Sequence, residues 1–457
     1  MLRLTRRVSN PPVAANATLP IKIFAALFGA FVGLALLKFS TPPVISASPM
    51  MAELVAPPTN GFEWLLGQWP PEIGCWLVGG FLLLGVGVAR WRTNAPRWLI
   101  ALPLAWLTWQ CVSATQTVDA ELSRATLKHF AAGVVCFYLG LFCLNRNQVA
   151  AFFLWPIATA FVAMLAVGFS QHFGGLEETR HYFYTYIYPT MKTIPPDYLK
   201  RMASNRISST SFYPNSLAGA ILLLLPPILA WICQARAQFT VGARALLSGL
   251  VGVGAMGCLY WSGSKGGWLL ALLAGLIALL QLKFSRRMKL ILVGVVLAAG
   301  LAGFTWKYAG FFQRGATSVV ARFDYWRVAW DTAVAKPVFG TGPGTFSVAY
   351  AKVKRPESEM ARLTHNDYLQ QASDSGFPGF LIYLAFIIGV LRVGYSEPGD
   401  GASVLRFGVW LGLFAWAIQA LGEFTLYVPS VAWPAFALAG WLLGTTGKRI
   451  DKPSAAD

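Results

Sequence analysis

Residues 283–306 read KFSRRMKLILVGVVLAAGLAGFTW: a basic cluster, then a run from Leu290 to Trp306 that carries no charge. A helix needs roughly 20 mainly apolar residues to cross a bilayer. In lipid an isolated segment can satisfy its backbone only as a helix or as part of a closed barrel. Twelve runs of this kind can be drawn, at about 21–39, 74–89, 98–113, 126–144, 149–168, 216–235, 245–261, 267–282, 289–306, 377–394, 404–422 and 430–446. Only 12% of the 457 residues are charged and 56% are hydrophobic, whereas a soluble domain carries roughly a quarter charged residues. The expected fold is therefore all-α, a polytopic integral membrane protein with about 12 transmembrane helices.

The net charge of +18 raises the question of a nucleic-acid partner, but the basic residues cluster in short segments between apolar runs and form no docking motif. That distribution follows the positive-inside rule. With LRLTRR at the N-terminus placed in the cytoplasm, the cytoplasmic connections become 90–97, 145–148, 235–244, 283–289, 392–406 and the tail KRIDK (448–452). The first outside loop, 40–73, holds Glu53, Glu63 and Glu72 and no Lys or Arg. Both termini are expected in the cytoplasm. Alternatively, the first run is a signal peptide cleaved near SASPMMA (46–52). The six cysteines lack CxxC or Cys/His metal spacing and read as small buried hydrophobes.

Two outside loops, 169–215 and 307–376, are much longer than the rest, and loops of that length usually carry function. Both are basic on the face where topology does not ask for it: Arg180, Lys192, Lys200, Arg201 and Arg206 in the first, and Arg314, Arg322, Arg327, Lys352, Lys354, Arg355 and Arg362 in the second. An anionic ligand at the outer surface, or lipid headgroups, would explain this. Within the second loop, Phe323–Ala335 places Trp326, Ala329, Trp330 and Ala333 on one helical face, as expected of an amphipathic helix lying on the membrane. Pro337 should stop it. The following Gly340, Gly342 and Gly344 do not have nucleotide-binding G-x-G-x-x-G spacing. Thr364 is expected to cap a short helix with Asp367 in the capping-box position. His365 would then lie in its first turn, where the helix dipole favours the neutral ring a general base requires. Gly376 should end that helix and Pro378 open the next span.

Three further features carry chemistry. Arg206, in RISSTSFYPNSLAGA (206–220), precedes a helix start at Pro214-Asn215; arginine offers a fork of donors matched to phosphate oxygens, and a nearby helix N-terminus adds backbone N–H groups. Lys265 is the one charge in WSGSKGGW (261–268), whose glycines permit close approach; the spacing is not that of a Walker A loop. Glu423 is an ionisable group near the bilayer, a functional candidate by default. The aromatics of HYFYTYIYP (181–189) fit interfacial anchoring or sugar stacking.

RISSTSFYPNSLAG, SGSKGG, RFDYWRVAWDTAVAKPVFGTGPGTF and THNDYLQQASDSGFPGFL, in this order over roughly residues 200–395, resemble the O-antigen ligase and O-antigen polymerase family of bacterial inner-membrane proteins. Residues 1–170 share only the succession of spans. The resemblance implies transfer of a glycan from undecaprenyl diphosphate to an acceptor sugar hydroxyl at the periplasmic face, with no cofactor and no metal. It implies that His365 acts on the acceptor hydroxyl and that Arg206 contacts the carrier diphosphate. Lys265 stands where the family usually has arginine, keeping the charge but losing the bidentate fork. Arg322 falls near a further recurrent arginine, and Asn366, Tyr368 and Glu423 are possible supporting residues.

The chain then divides into an N-terminal five-helix membrane segment (1–168), a first periplasmic loop (169–215), central membrane helices (216–306), a catalytic, partly helical periplasmic loop (307–376), and C-terminal membrane helices with a cytoplasmic tail (377–457). The implied partners are the lipid-linked glycan donor, a glycan or lipid A-core acceptor, and the bilayer, with no nucleic acid. Absence of a DxD-type pair from the outer loops fits metal independence, and direct displacement would invert the anomeric centre. Ligase, polymerase and protein O-oligosaccharyltransferase share this core. A polytopic transporter is the rival from another class, although no internal symmetry or intramembrane acidic chain supports it. A scaffold without activity would be favoured if Arg206 and His365 lay far apart.

Overall fold

The computed structural model describes residues 18–47, 61–146, 149–190, 199, 202–313, 317–354, 358, 360–396 and 401–446. The N-terminal arginines, Glu53, most of the SASPMMA stretch, Lys192, Lys200, Arg201, Arg314, Arg355 and the KRIDK tail lie outside the described residues. The described residues are helical and contain no strand.

Each of the twelve apolar runs lies on a helix. The first five are α1 (Leu19–Lys38), α2 (Pro71–Val88), α3 (Arg97–Ala114), α4 (Ala120–Cys143) and α5 (Ala150–Ser170). Then come α6 (Pro214–Gln234), α7 (Val241–Ser262), α8 (Lys265–Gln281) and α9 (Arg286–Gln313). Two helices of the second long loop follow, α10 (Thr317–Ala335) and α11 (Phe346–Val353), and the chain closes with α12 (Asp367–Gly394), α13 (Gly401–Gln419) and α14 (Pro429–Gly444). Among the described residues eight helices are long and apolar enough to cross a membrane; α8 and most of α13 are shorter apolar helices. The protein is accordingly a multi-pass membrane protein.

Helix packing uses small residues, as expected where lipid is as apolar as leucine and close backbone approach supplies the attraction. The α4–α14 pair shows this in both directions. A Cβ on Gly140 would lie 2.2 Å from the Ala437 carbonyl oxygen, and one on Gly440 would lie 1.9 Å from that of Phe137. The core formed by α1, α4, α5, α6 and α14 contains Phe28, Phe137, Phe153, Leu223 and Trp433, all inaccessible to solvent. The sequence reading of the cysteines needs one correction. Cys136, Cys143 and Cys258 are buried, whereas Cys111 and Cys233 lie on outer helix surfaces.

The second long loop departs from expectation in an instructive way. Its helix α10 does stop just before Lys336 and Pro337, but its apolar face packs on protein. Tyr325, Val328 and Ala329 bury against Phe346, Tyr350 and Ala361, while Trp330 remains 52% exposed. The apolar stripe is one position away from the one drawn through Trp326 and Trp330, because Tyr325 and Val328 supply the buried volume. Gly340, Gly342 and Gly344 follow with positive φ. Here the N–H groups of Thr341 and Gly342 donate to the Ser373 and Asp374 carbonyls at 3.1 and 2.8 Å. The Gly344 N–H donates to Asp374 Oδ2 at 2.9 Å. The glycine turn thus grips α12 just ahead of its break at Gly376. Gly376 breaks α12 with φ 68° and ψ 178°, next to Pro378, as the sequence indicated.

Candidate functional site

The segment that carries Arg206 is pinned from both sides. Upstream, the Arg180 side chain donates to the Met202 and Ser204 carbonyls, both at 2.8 Å, and to Asn205 Oδ1 at 2.7 Å. Downstream, Gln171 Oε1 accepts the Ser208 and Ser209 N–H groups at 3.1 and 2.6 Å. Arg180 is therefore occupied in holding the loop. Arg206 itself donates from Nε to the Ser262 carbonyl at 2.7 Å and from Nη2 to Asn215 Oδ1 at 2.8 Å. It lies across Gly263, which adopts φ 63° and whose missing Cβ would sit 3.1 Å from the Arg206 Nε. Burial pulls the guanidinium below its ordinary pKa, the Glu423 charge works against that, and Arg322 adds to it.

Lys265 opens α8, whose N-cap Ser264 accepts the Gly267 N–H at 3.2 Å. Its Nζ rests 3.8 Å from the Phe311 ring centre and 5.3 Å from that of Tyr308, a cation–π cradle. Ser264 and Gly266 line the same space as Lys265.

His365 does not lie in the first turn of α12, contrary to the sequence reading. Asn366 is the N-cap, its side chain accepting the Leu369 N–H at 3.0 Å. Thr364 cannot serve because its hydroxyl donates to the Asn366 carbonyl at 2.7 Å and its N–H is bound by Gln370 Oε1 at 3.0 Å. His365 is left one residue outside the helix in the left-handed region, with φ 52°, a strained conformation of the kind that concentrates at functional sites. Its ring packs edge-on to Phe424 at 4.7 Å and stacks near Tyr325 at 6.1 Å. Its Nδ1 lies 3.1 Å from Glu423 Oε2.

Glu423, on the connection after α13, is where these parts meet. Oε1 accepts from Arg322 Nη2 and from Asn215 Nδ2, the latter at 2.6 Å, so Asn215 links Arg206 to the carboxylate. Burial pushes the Glu423 carboxyl up, but the Arg322 charge, the hydrogen bond and charge of His365 and the Arg206 charge outweigh it and hold the group below its ordinary range. An ionised carboxylate only accepts, so in the neutral imidazole the proton sits on Nδ1 and the lone pair is on Nε2.

Arg206, Lys265, Arg322, His365 and Glu423 line one cavity of about 670 Å³, together with the apolar Leu269, Phe304 and Phe312 and the hydroxyl-bearing Ser318 and Ser358. Two sequence candidates are not part of it. Asn366 is consumed as the cap, and Tyr368 donates to the Ala417 carbonyl at 2.9 Å, bracing α12 on α13. Sequence reasoning missed Asn215, Tyr325 and Phe424 as lining residues. Asn215 follows Pro214 at a helix start, so its amide read as a local signal and not as a bridge to a residue 208 positions away. The exposed tyrosines of 181–189 pair along a helix (Tyr182 with Tyr186 at 5.1 Å, Tyr184 with Tyr188 at 5.7 Å) and do not line the cavity. Among the described residues no three His, Cys, Asp or Glu side chains converge as metal ligands.

Fold and site together define a multi-pass membrane protein with a cavity in which cations from three separate segments surround a histidine–carboxylate pair. Residues 250–384 match the family model described as O-antigen ligase. The matched stretch includes Lys265, Arg322 and His365, while Arg206 precedes it and Glu423 follows it. No curated protein matches the chain.

Proposed function

We propose that the protein is a glycosyltransferase of the bacterial inner membrane that moves a glycan from undecaprenyl diphosphate to an acceptor hydroxyl at the periplasmic face. The acceptor is a sugar of a growing glycan or of the lipid A-core. The observation that carries this reading is the convergence of Arg206, Lys265 and Arg322 on one cavity with the His365–Glu423 pair. A diphosphate leaving group develops negative charge as its bond to the anomeric carbon breaks, and preorganised cations in a poorly solvated cavity stabilise that charge. Arg206 and Lys265 hold the diphosphate, Arg322 pairs with Glu423 beside them, and the polyprenyl chain leaves over the apolar lining residues Leu269, Phe304 and Phe312.

His365 Nε2 takes the proton of the acceptor hydroxyl as the oxygen attacks the anomeric carbon. The carbon–oxygen bond to the acceptor forms, the carbon–oxygen bond to the diphosphate breaks, and the electron pair leaves with the carrier. One displacement inverts the anomeric configuration. The chain's own residues supply every group used in this step, so metal is not required. The scaffold reading required Arg206 and His365 to lie too far apart to share a substrate; both line the same cavity, which favours the enzyme.

The test uses purified protein in liposomes with a defined undecaprenyl diphosphate glycan and a sugar acceptor, in the presence of EDTA. The proposal expects release of carrier diphosphate with formation of an inverted glycoside, and loss of both in His365→Ala. A wild-type protein that transfers only when divalent metal is restored, or a retained configuration, would overturn the mechanism.

A further inference from the structure

Glu423 stands on residues 420–428, a connection held by buried polar groups from distant helices. Thr425–Tyr427 form a 3-10 turn. The Leu426 N–H donates to Asp367 Oδ2 at 2.8 Å, and the Thr425 hydroxyl donates to the same oxygen at 3.1 Å. From the other side, His129 Nε2 lies 2.7 Å from the Leu426 carbonyl oxygen, which can only accept, so Nε2 carries the proton. Upstream, the Asp367 N–H donates to the Ala420 carbonyl at 2.8 Å. Asp367 and Leu426 are fully buried and His129 is 1% exposed.

Two features set this arrangement apart from ordinary packing. Burying a carboxylate and an imidazole is costly unless they are fully bonded, yet Asp367 Oδ1 and His129 Nδ1 have no partner among the described residues. Both groups spend their bonds on one short turn. Asp367 also lies two residues after His365, so one segment presents His365 to the cavity and fixes the turn that presents Glu423.

We infer that Asp367 and His129 are positioning residues: by binding the N–H and the carbonyl of Leu426, in the two peptides that flank its Cα, they hold the Glu423 carboxylate against Nδ1 of His365 and so dictate which ring nitrogen is free to take a proton. This inference rests on the proposed function for its catalytic consequence only; the tautomer of His365 can be read without any turnover.

The experiment is nitrogen NMR of protein labelled in its four histidines and held in lipid nanodiscs, with His365 assigned by the signal lost in His365→Gln. The wild type should show His365 protonated at Nδ1 and unprotonated at Nε2. Asp367→Ala should move it toward the Nε2–H form, whereas Asp367→Asn, which keeps an acceptor oxygen for Leu426 and Thr425, should hold the wild-type pattern. His129→Phe, which removes the donor to Leu426 from the other side, provides the second variant if Asp367→Ala does not fold. An unchanged His365 tautomer in a folded variant overturns the inference.

Transfer assays add the kinetic arm. Asp367→Ala should lower turnover about ten-fold with donor KM changed less than about two-fold, and should cost almost nothing further in a Glu423→Gln background. An equal loss in both backgrounds would mark Asp367 as merely structural. Failure of transfer by wild type with the NMR pattern as expected would remove the proposed reaction and leave the positioning role intact.

Discussion

Glu423 Oε2 lies 3.1 Å from Nδ1 of His365, while its other oxygen is bound by Arg322 and Asn215. One carboxylate therefore joins the group assigned to proton transfer to the cations assigned to the leaving group. The two halves of the reaction share a support, and perturbing that support should disturb both.

Acid should release it. The Glu423 carboxyl is held below its ordinary value of 4.5 by the Arg322 and His365 partners that outweigh burial. A depressed folded value gives stability that is complete above the unfolded value and is lost as pH falls through the folded one. The Glu423-dependent part of thermal stability in detergent, read as wild type minus Glu423→Gln, should hold steady from about pH 7 to about pH 5 and decline below roughly pH 4.5. Glu423→Gln should lack this acid-dependent component, and an identical decline in that variant would contradict the assignment.

Arg206→Lys should fail to rescue the site. Lysine keeps the charge but cannot bond the Ser262 carbonyl and Asn215 together from one planar group, as Arg206 does at 2.7 and 2.8 Å. Donor KM should rise roughly ten-fold, equivalent to about 1.4 kcal/mol. A KM near the wild-type value would show that a point charge suffices.

Gly263→Ala tests the same side chain through the backbone. The glycine adopts φ 63°, and the added methyl would crowd Arg206 Nε at 3.1 Å. A left-handed residue with a Cβ costs about 1–2 kcal/mol, and Arg206 must also shift. The expected result is a modest drop in melting temperature with a several-fold rise in donor KM, read by thermal shift and initial rates.

Lys265 departs from the arginine that the resemblance leads one to expect. Its ammonium rests on Phe311 at 3.8 Å, a seat that a guanidinium can also occupy. Lys265→Arg should therefore retain transfer within about three-fold, while Lys265→Gln, lacking charge, should lose at least about ten-fold. Equal activity in all three proteins would remove Lys265 from diphosphate binding.

The helices and their approximate ends were legible in the sequence, because long apolar runs and basic flanks are local signals. So were the stop before Pro337 and the break at Gly376. The cap at Asn366 was not, since Thr364 and Asn366 are both good caps and the choice depends on Gln370 taking the Thr364 N–H. The buried face of α10 was legible in part: Ala329 and Ala333 are buried as drawn, but Tyr325 and Val328 complete it because Phe346 and Tyr350, absent from the helix's own periodicity, cover that side. Arg206, Lys265, Arg322, His365 and Glu423 were each singled out from the chain, but their convergence depends on bonds such as Asn215 to Glu423 that no local pattern encodes.

The most direct measurement pairs donor binding with single-turnover transfer in His365→Gln. The account predicts donor affinity within about two-fold of wild type and transfer slowed by about 100- to 10,000-fold, the range of a lost general base. Transfer at a rate close to wild type would contradict the central claim that His365 moves the acceptor proton.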